Sequence, residues 1–394
     1  MSELKLLQLN VTANWGSTGK IAEGIGKAAM KGGWDSYIAY GRDMNPSESN
    51  LIKVGNKFDV YAHYARNRFL DGEGLGSKQP TKGLIKHIEK LQPDIIHLHN
   101  IHDHWLNYPV LFDYLATIET PIVWTFHDCW AFTGGCPHFD SVGCFKWRDE
   151  GCKGSCLLNH KKAARNYEIR KKAFFKVGSR LNIVTVSEWL SQFVHESISM
   201  KFGANTSVIN NGIDVTTIFK PKGKKRKRIL GVSNVWNESK GLMDFSNLRN
   251  ILPKDIEIVL VGLSEQQKMN LPNGIEGVTR TSDVQELAKL YSSAVALVNP
   301  TYNDSFPTVN LEALACGTPV ITYRTGGSPE AIDENTGIVV EKGDIQGLAN
   351  SILEVTNNPQ RYSSDICRKR AMTHFNQDIQ FEKYIELYNK LLSK

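Results

Sequence analysis

No stretch of the 394 residues holds a run of about 18 apolar side chains, the length a membrane-spanning helix needs. The opening MSELKLLQLNV turns apolar too early and too briefly for a secretory signal; it has the pattern of a strand. Both absences predict a cytoplasmic protein in which the seven cysteines are mostly reduced. The excess of one charge sign is also small. A net charge of +6 admits an anionic substrate or membrane surface but does not supply the basic face that nucleic acid requires. The first glycine-bearing loop, Asn14-Trp15-Gly16-Ser17-Thr18-Gly19, is neither a dinucleotide GxGxxG nor a Walker loop, which disfavours a dehydrogenase. What remains is ordinary globular composition, 22% charged and 41% apolar, on a chain long enough for two or three domains.

Strand-like and helix-like runs alternate along that chain, the mark of α/β domains with parallel sheets. In the first half the strand runs are 4–11, 36–40, 94–99, 121–127 and 182–187, and the loop at Gly16 and Ser17 leads into a helical pattern through Ile21, Ile25 and Ala29. Residues 56–70 are less regular and end in the polar loop DGEGLGS, expected to be mobile and either a ligand contact or a surface loop without a role. The basic tract KGKKRKR at 222–228 reads as a linker, giving domains at 1–219 and 220–394. The second half then restarts with strands at 229–233, 257–262, 294–299 and 320–323, and a strand ending at Thr279-Arg280.

The stretch 299–330, NPTYNDSFPTVNLEALACGTPVITYRTGGSPE, gathers the chemistry. Asp304 stands eight residues ahead of Glu312, with Ser-Phe-Pro-Thr following it. A helix is expected from this break, capped by Ser305, with Pro307 in its first turn and Leu311, Leu314 and Ala315 inward; Gly317 and Pro319 end it. Free backbone N–H groups and a positive dipole beside two carboxylates suit a ligand with phosphates and sugar hydroxyls together. Lys240, near another helix start after Ser233 and Asn234, is placed to neutralise a diphosphate.

These motifs resemble the nucleotide-sugar signature of retaining glycosyltransferases of family 4. Two acids separated by seven residues, Phe306-Pro307, Leu311 and Gly326-Gly327 carry the likeness, which extends over almost the whole chain. The family usually has Glu where Asp304 stands, and an arginine where Val235 stands. The resemblance implies the GT-B architecture: two Rossmann-like domains facing a cleft, with the amphipathic C-terminal helix at 378–392 crossing back to the first domain. It implies transfer of a hexose-type sugar from a UDP- or GDP-sugar to a saccharide or lipid-linked oligosaccharide, as in surface polysaccharide synthesis, without a catalytic metal. His127, at the end of the strand PIVWTFHD, is then expected to face the transferred sugar, with Asp304 and Lys240 as the other catalytic groups. Donor contacts are implied for Gly16, Ser17, Ser233, Asn234, Thr279, Arg280, Phe306, Pro307, Thr308, Asn310, Leu311 and Glu312, those at 279–280 through backbone groups to the base. A non-hydrolysing nucleotide-sugar epimerase and a nucleotide-sugar-binding homologue without chemistry are the alternatives.

Two clusters stand apart from this. Histidines crowd 97–104 (His97, His99, His102, His104), either as a zinc site or as polar filling at the carboxyl edge of a sheet. Cys136, Cys144, Cys152 and Cys156 fall within an insertion at 134–156, spaced by seven, seven and three residues with no CxxC. They allow a structural Cys₄ zinc site, two disulfides or reduced thiols. The basic helical segment 160–180 either rests on an anionic membrane at the inner face, where a lipid-linked acceptor is held, or packs on its own domain.

Overall fold

The computed structural model describes residues 3–72, 74–153, 162–197 and 203–393. Its strands are short apolar runs, several buried at every position, such as IVWTF, LNIVT and VITY. Strands buried on both faces belong in parallel sheets covered by helices on each side. The first sheet holds β1 (Lys5–Asn10), β2 (Asp35–Tyr40), β3 (Asn50–Lys53), β4 (Ile95–Leu98), β5 (Ile122–Phe126), β6 (Leu181–Thr185) and β7 (Asn205–Val208). The second holds β8 (Arg228–Val232), β9 (Glu257–Val261), β10 (Ile275–Val278), β11 (Ala296–Asn299), β12 (Val320–Tyr323) and β13 (Gly337–Val340). Strand orders are β3-β2-β1-β4-β5-β6-β7 and β10-β9-β8-β11-β12-β13, with parallel pairing throughout. Each sheet reverses its order once, between β1 and β4 and between β8 and β11. Such switch points open a crevice beyond the carboxyl ends of the strands, where α/β folds bind ligands.

Two compact units result, Met1–Asn210 with Phe381–Lys394, and Asn211–Gln380. The division falls at 210/211 rather than at 219/220. The segment after Asn210 is tied into the second unit, where Ile213 bridges Asn376 and its N–H and C=O bond Phe375 O and Gln377 N at 2.9 and 3.0 Å. The C-terminal helix Gln377–Leu392 returns its last residues to the first unit, as expected of the fold. Phe381, Tyr384, Ile385 and Tyr388 are buried there with Leu6, Ile21, Ile25 and Ile95.

Several sequence expectations change. β3, β7 and β13 are strands that the sequence pattern did not announce. The tract 222–228 is not a free linker: Arg228 opens β8 and pairs with Glu257, while Lys225 reaches Ala294 O and Thr318 Oγ1 at 2.7 and 2.6 Å. Residues expected to be irregular form the helix Lys57–Leu70, closed at its start by a capping box between Asn56 and Asp59. In the described part of the loop after it, His63 Nε2 accepts from Gly74 N and Gly76 N at 3.0 and 3.1 Å. The basic segment packs on its own unit as the helix Ala163–Phe175, with Tyr167, Ala173 and Phe174 buried. Arg170 is fully buried, its guanidinium 4.0 Å over the Trp130 ring.

Candidate functional site

In the second unit the residues of interest follow the carboxyl ends of β8 and β11, at the switch point. β8 runs into Ser233, whose hydroxyl donates to Val235 O at 2.9 Å, and exposed Asn234. Asn237 caps a short turn ending at Lys240, and left-handed Gly241 (φ 71°) then starts the helix Leu242–Ile251. β11 runs into the loop that carries Asp304. Ser239 O accepts from Tyr302 N at 2.8 Å, so the two loops are held side by side. The Lys240 ammonium reaches Asp304 Oδ2 at 2.8 Å and Asn303 O at 3.3 Å. The two side chains retain 28% and 26% of their exposure, open enough to meet a ligand.

The expected helix forms as Thr308–Ala315, and Gly317, at φ 73°, lies just past its end. Its start is corrected. Pro307 occupies the cap position with no side-chain cap bond, and Ser305 does not cap it. The Ser305 hydroxyl, 4% exposed, and that of Thr325, 5% exposed, have no partner among the described residues. Glu312 Oε2 accepts from the buried Tyr291 hydroxyl at 2.8 Å, which fixes the carboxylate. Asn310 is fully buried, bonding Asn299 Nδ2 at 2.8 Å and Ser328 Oγ at 2.9 Å. Leu311 is fully buried and Phe306 stacks edge-on near Phe375 at 5.9 Å. These three side chains therefore shape the loop from beneath. Thr279 and Arg280 follow β10 at the same edge, the first half-buried and the second exposed.

In the first unit, Gly16 (φ 66°) opens the helix Gly16–Lys31, with Ser17 exposed and no acidic side chain in the first turn. The N–H groups of that turn carry the helix's positive end. His127 follows β5 and is half-buried. Its Nε2 lies 3.1 Å from Nδ1 of His99, whose Nε2 lies 3.1 Å from Gln8 Oε1. Burial holds His127 down to about 4, so it is neutral near pH 7. Burial also acts to lower His102, but Asp128, 3.0 Å away, and Asp103 raise it well above the ordinary value.

The crowded histidines are thus polar filling of the sheet edge: His97 Nδ1 meets Tyr388 OH at 2.6 Å and its Nε2 meets Thr125 Oγ1 at 2.8 Å. Cys136, Cys144 and Cys152 line one small cavity of about 10 Å³ with Phe139, Trp147 and Lys146. Cys156 lies outside the described residues. Among the described residues, no three metal-ligating side chains stand together closely enough to hold an ion. Sequence reasoning missed the Gln8 and His99 contacts, although a glutamine inside the apolar run KLLQLN was a visible sign of a buried polar partner.

The sequence pattern of Glycosyltransferase Family 4 matches residues 21–217, half the chain, and that of Glycosyl transferases group 1 matches residues 226–358. The chain belongs to glycosyltransferase family 4 and is a glycosyltransferase of GT-B architecture. Among its relatives is a putative colanic acid biosynthesis glycosyl transferase, WcaC, from Escherichia coli (strain K12). It is 23% identical, over 98% of this chain and 100% of the relative. An MMP alpha-(1->4)-mannosyltransferase of Mycolicibacterium hassiacum is 27% identical over 48% of this chain and 49% of its own length. Of solved structures, a sucrose-phosphate synthase from Thermosynechococcus elongatus superposes with a TM-score of 0.73 at 18% identity, covering 99% of this chain and all of that one. Anabaena HepE in complex with UDP-glucose gives 0.65 at 14% identity, covering 98% of this chain and 100% of its own.

Proposed function

We propose that this glycosyltransferase moves a hexose-type sugar, with retention of configuration, from a UDP- or GDP-sugar to a saccharide or lipid-linked oligosaccharide in surface polysaccharide synthesis. The observation that carries this reading is the Lys240–Asp304 pair, 2.8 Å apart beyond the carboxyl ends of β8 and β11. A part-exposed ammonium beside a carboxylate offers a counter-charge for a leaving diphosphate and an acceptor for sugar hydroxyls. Glu312, fixed by Tyr291, takes the nucleotide's ribose hydroxyls, and His127 meets the sugar. The relative named for colanic acid synthesis supports a polysaccharide product, and the HepE complex with UDP-glucose supports a nucleotide-sugar donor.

In this scheme the acceptor hydroxyl attacks on the face the nucleotide leaves, and the departing diphosphate, held by Lys240, takes its proton. Neither Asp304 nor Glu312 forms a sugar adduct, unlike the nucleophilic carboxylate of retaining hydrolases. NMR of the product's anomeric proton tests it. An α-linked donor should give an α-glycoside, and a β-glycoside would remove the retaining assignment.

A structural zinc serving the insertion, apart from the reaction, requires Cys136, Cys144 and Cys152, which line one cavity without forming a ready ligand group among the described residues, to draw together with Cys156 on the metal. Protein purified without added zinc should carry about one equivalent of metal, lost in Cys152→Ser. All seven cysteines titrating as thiols, with no metal present, would end that reading and leave the transfer untouched.

The enzyme is read as cytoplasmic, working at the inner face of a membrane. No helix among the described residues is long and apolar enough to cross one. The contact is assigned to the helix Lys57–Leu70, whose Phe58, Tyr61 and Phe69 are 79%, 70% and 83% exposed. These side chains share one stripe, with Arg66 and Arg68 on its flanks, the pattern of an interfacial helix on anionic lipid. Co-sedimentation with phosphatidylglycerol-containing vesicles should fall at least roughly tenfold in Phe58→Ser/Phe69→Ser, each large side chain contributing on the order of 1.5 kcal/mol or more. Equal sedimentation of the wild type with purely zwitterionic vesicles would argue against the arginines' part.

A further inference from the structure

We infer that Gln8 and His99 are positioning residues that lock His127 in the tautomer protonated at Nε2, leaving its Nδ1 as a hydrogen-bond acceptor for the transferred sugar. The last clause rests on the reading that His127 meets that sugar; the lock itself rests on the first unit alone. The lock begins at a backbone carbonyl. Gln8, fully buried, donates its side-chain N–H to Ala22 O at 2.8 Å. A carbonyl can only accept, so the amide cannot be turned around without setting two oxygens against each other in a buried place. Gln8 Oε1 is therefore the atom that faces His99 Nε2 at 3.1 Å, and that nitrogen must carry the proton.

His99 is 1% exposed, and burial holds it well below the ordinary histidine value. A neutral imidazole protonated at Nε2 has a bare Nδ1. That bare nitrogen faces His127 Nε2 at 3.1 Å, so His127 must donate there. The same rule applied once more leaves Nδ1 of neutral His127 with a lone pair, and no protein group bonds it among the described residues. Backbone bonds hold His99 in place: its N–H donates to Leu9 O at 2.9 Å and its C=O accepts from Trp124 Nε1 at 2.9 Å.

The consequence is chemical selectivity at one atom. A bare Nδ1 accepts from a hydroxyl, amine or amide N–H and opposes a carboxylate or phosphate oxygen. The ligand group that seats there is a hydrogen-bond donor, such as a hydroxyl of a neutral sugar.

The test is spectroscopic and needs no substrate. The full chain, labelled with ¹⁵N at histidine, is examined by long-range ¹H–¹⁵N correlation, with His127 assigned by its loss in His127→Gln. The wild type should show His127 protonated at Nε2 and bare at Nδ1. His99→Asn, which sets an amide oxygen near the position of Nδ1, should keep that pattern. His99→Leu, which offers no acceptor, should release His127 into a mixture of tautomers. If His99→Leu does not fold, Gln8→Met removes the same constraint one step earlier and should give the mixture. A wild-type His127 protonated at Nδ1, or a tautomer unmoved by His99→Leu or Gln8→Met, overturns the lock. A lock that holds in a protein that turns over no nucleotide-sugar would count against the proposed donor, not against the lock.

Discussion

Lys240→Ala is expected to lower kcat by about 10²–10³-fold, the usual cost of losing a donor to charge that grows in the transition state. The same substitution should shift Tm by no more than about 4 °C. Its ion pair with Asp304 leaves both side chains more than a quarter exposed, and exposed pairs contribute about 0–1 kcal/mol. Activity and stability therefore separate at this residue. In the resting chain the ammonium is shared among Asp304 Oδ2 at 2.8 Å, Asn303 O at 3.3 Å and Thr301 Oγ1 at 3.5 Å. A diphosphate must draw it away from these oxygens, which costs ground-state affinity. The interaction strengthens only as the leaving nucleotide gathers charge, so the effect falls on kcat more than on KM. Asp304→Asn should free the ammonium and tighten binding of the bare nucleoside diphosphate, while still lowering kcat because the sugar loses an acceptor. Steady-state kinetics with calorimetric titration of the diphosphate measure both. A kcat for Lys240→Ala within threefold of wild type would leave the phosphates to backbone groups alone. A loss confined to KM would make Lys240 a ground-state anchor.

How much of this could be read from the sequence depended on what each residue faces. Central strands such as β5 and β12 are buried at every position and mostly apolar because both their faces are covered, and they were legible. β3 (NLIK) and β7 (NTSV) are sheet-edge strands with exposed or half-buried side chains and carried no such run. The helix Lys57–Leu70 was hidden for the opposite reason: its aromatic residues point to solvent and only His63 is buried. Apolar periodicity reports burial, so an outward-facing stripe misleads it. Spacing singled out Asp304, Glu312 and Lys240 as candidates, the second on the helix Thr308–Ala315 and the others on the turns that follow β11 and β8. It could not show that Lys240 and Asp304 pair, since 64 residues and the β8–β11 neighbourhood intervene. Nor could it separate Asn310 and Leu311, which are buried beneath the loop, from residues open to a ligand. The Ser305 cap failed because Pro307 already supplies the extended backbone a cap position needs, and its own N–H is absent.

Gly326→Ala is expected to lower kcat/KM by about 10²-fold, a loss on the scale of a 1 Å misplacement of a reacting group. Gly326 lies in the left-handed region at φ 55°, where an L side chain costs roughly 1–2 kcal/mol. Steric overlap outweighs that strain. A Cβ built there would stand 1.8 Å from Asp304 O and 2.8 Å from Asp304 C. Both are backbone atoms, so no rotamer change relieves the contact. One of the two loops must move, and the bond from Gly327 N to Asp304 O at 3.2 Å is lost with it. Asp304 travels with its loop, and so does the partner that holds the Lys240 ammonium. Gly223→Ala is the control, because Gly223 has φ 79° but nothing within 4 Å of its would-be Cβ. That variant meets backbone strain without overlap, and should lose stability while keeping kcat/KM. Thermal unfolding and steady-state kinetics of the two variants distinguish strain from overlap. If Gly326→Ala matched Gly223→Ala in both Tm and kcat/KM, the close approach of the two loops would not be what sets Asp304 for the reaction.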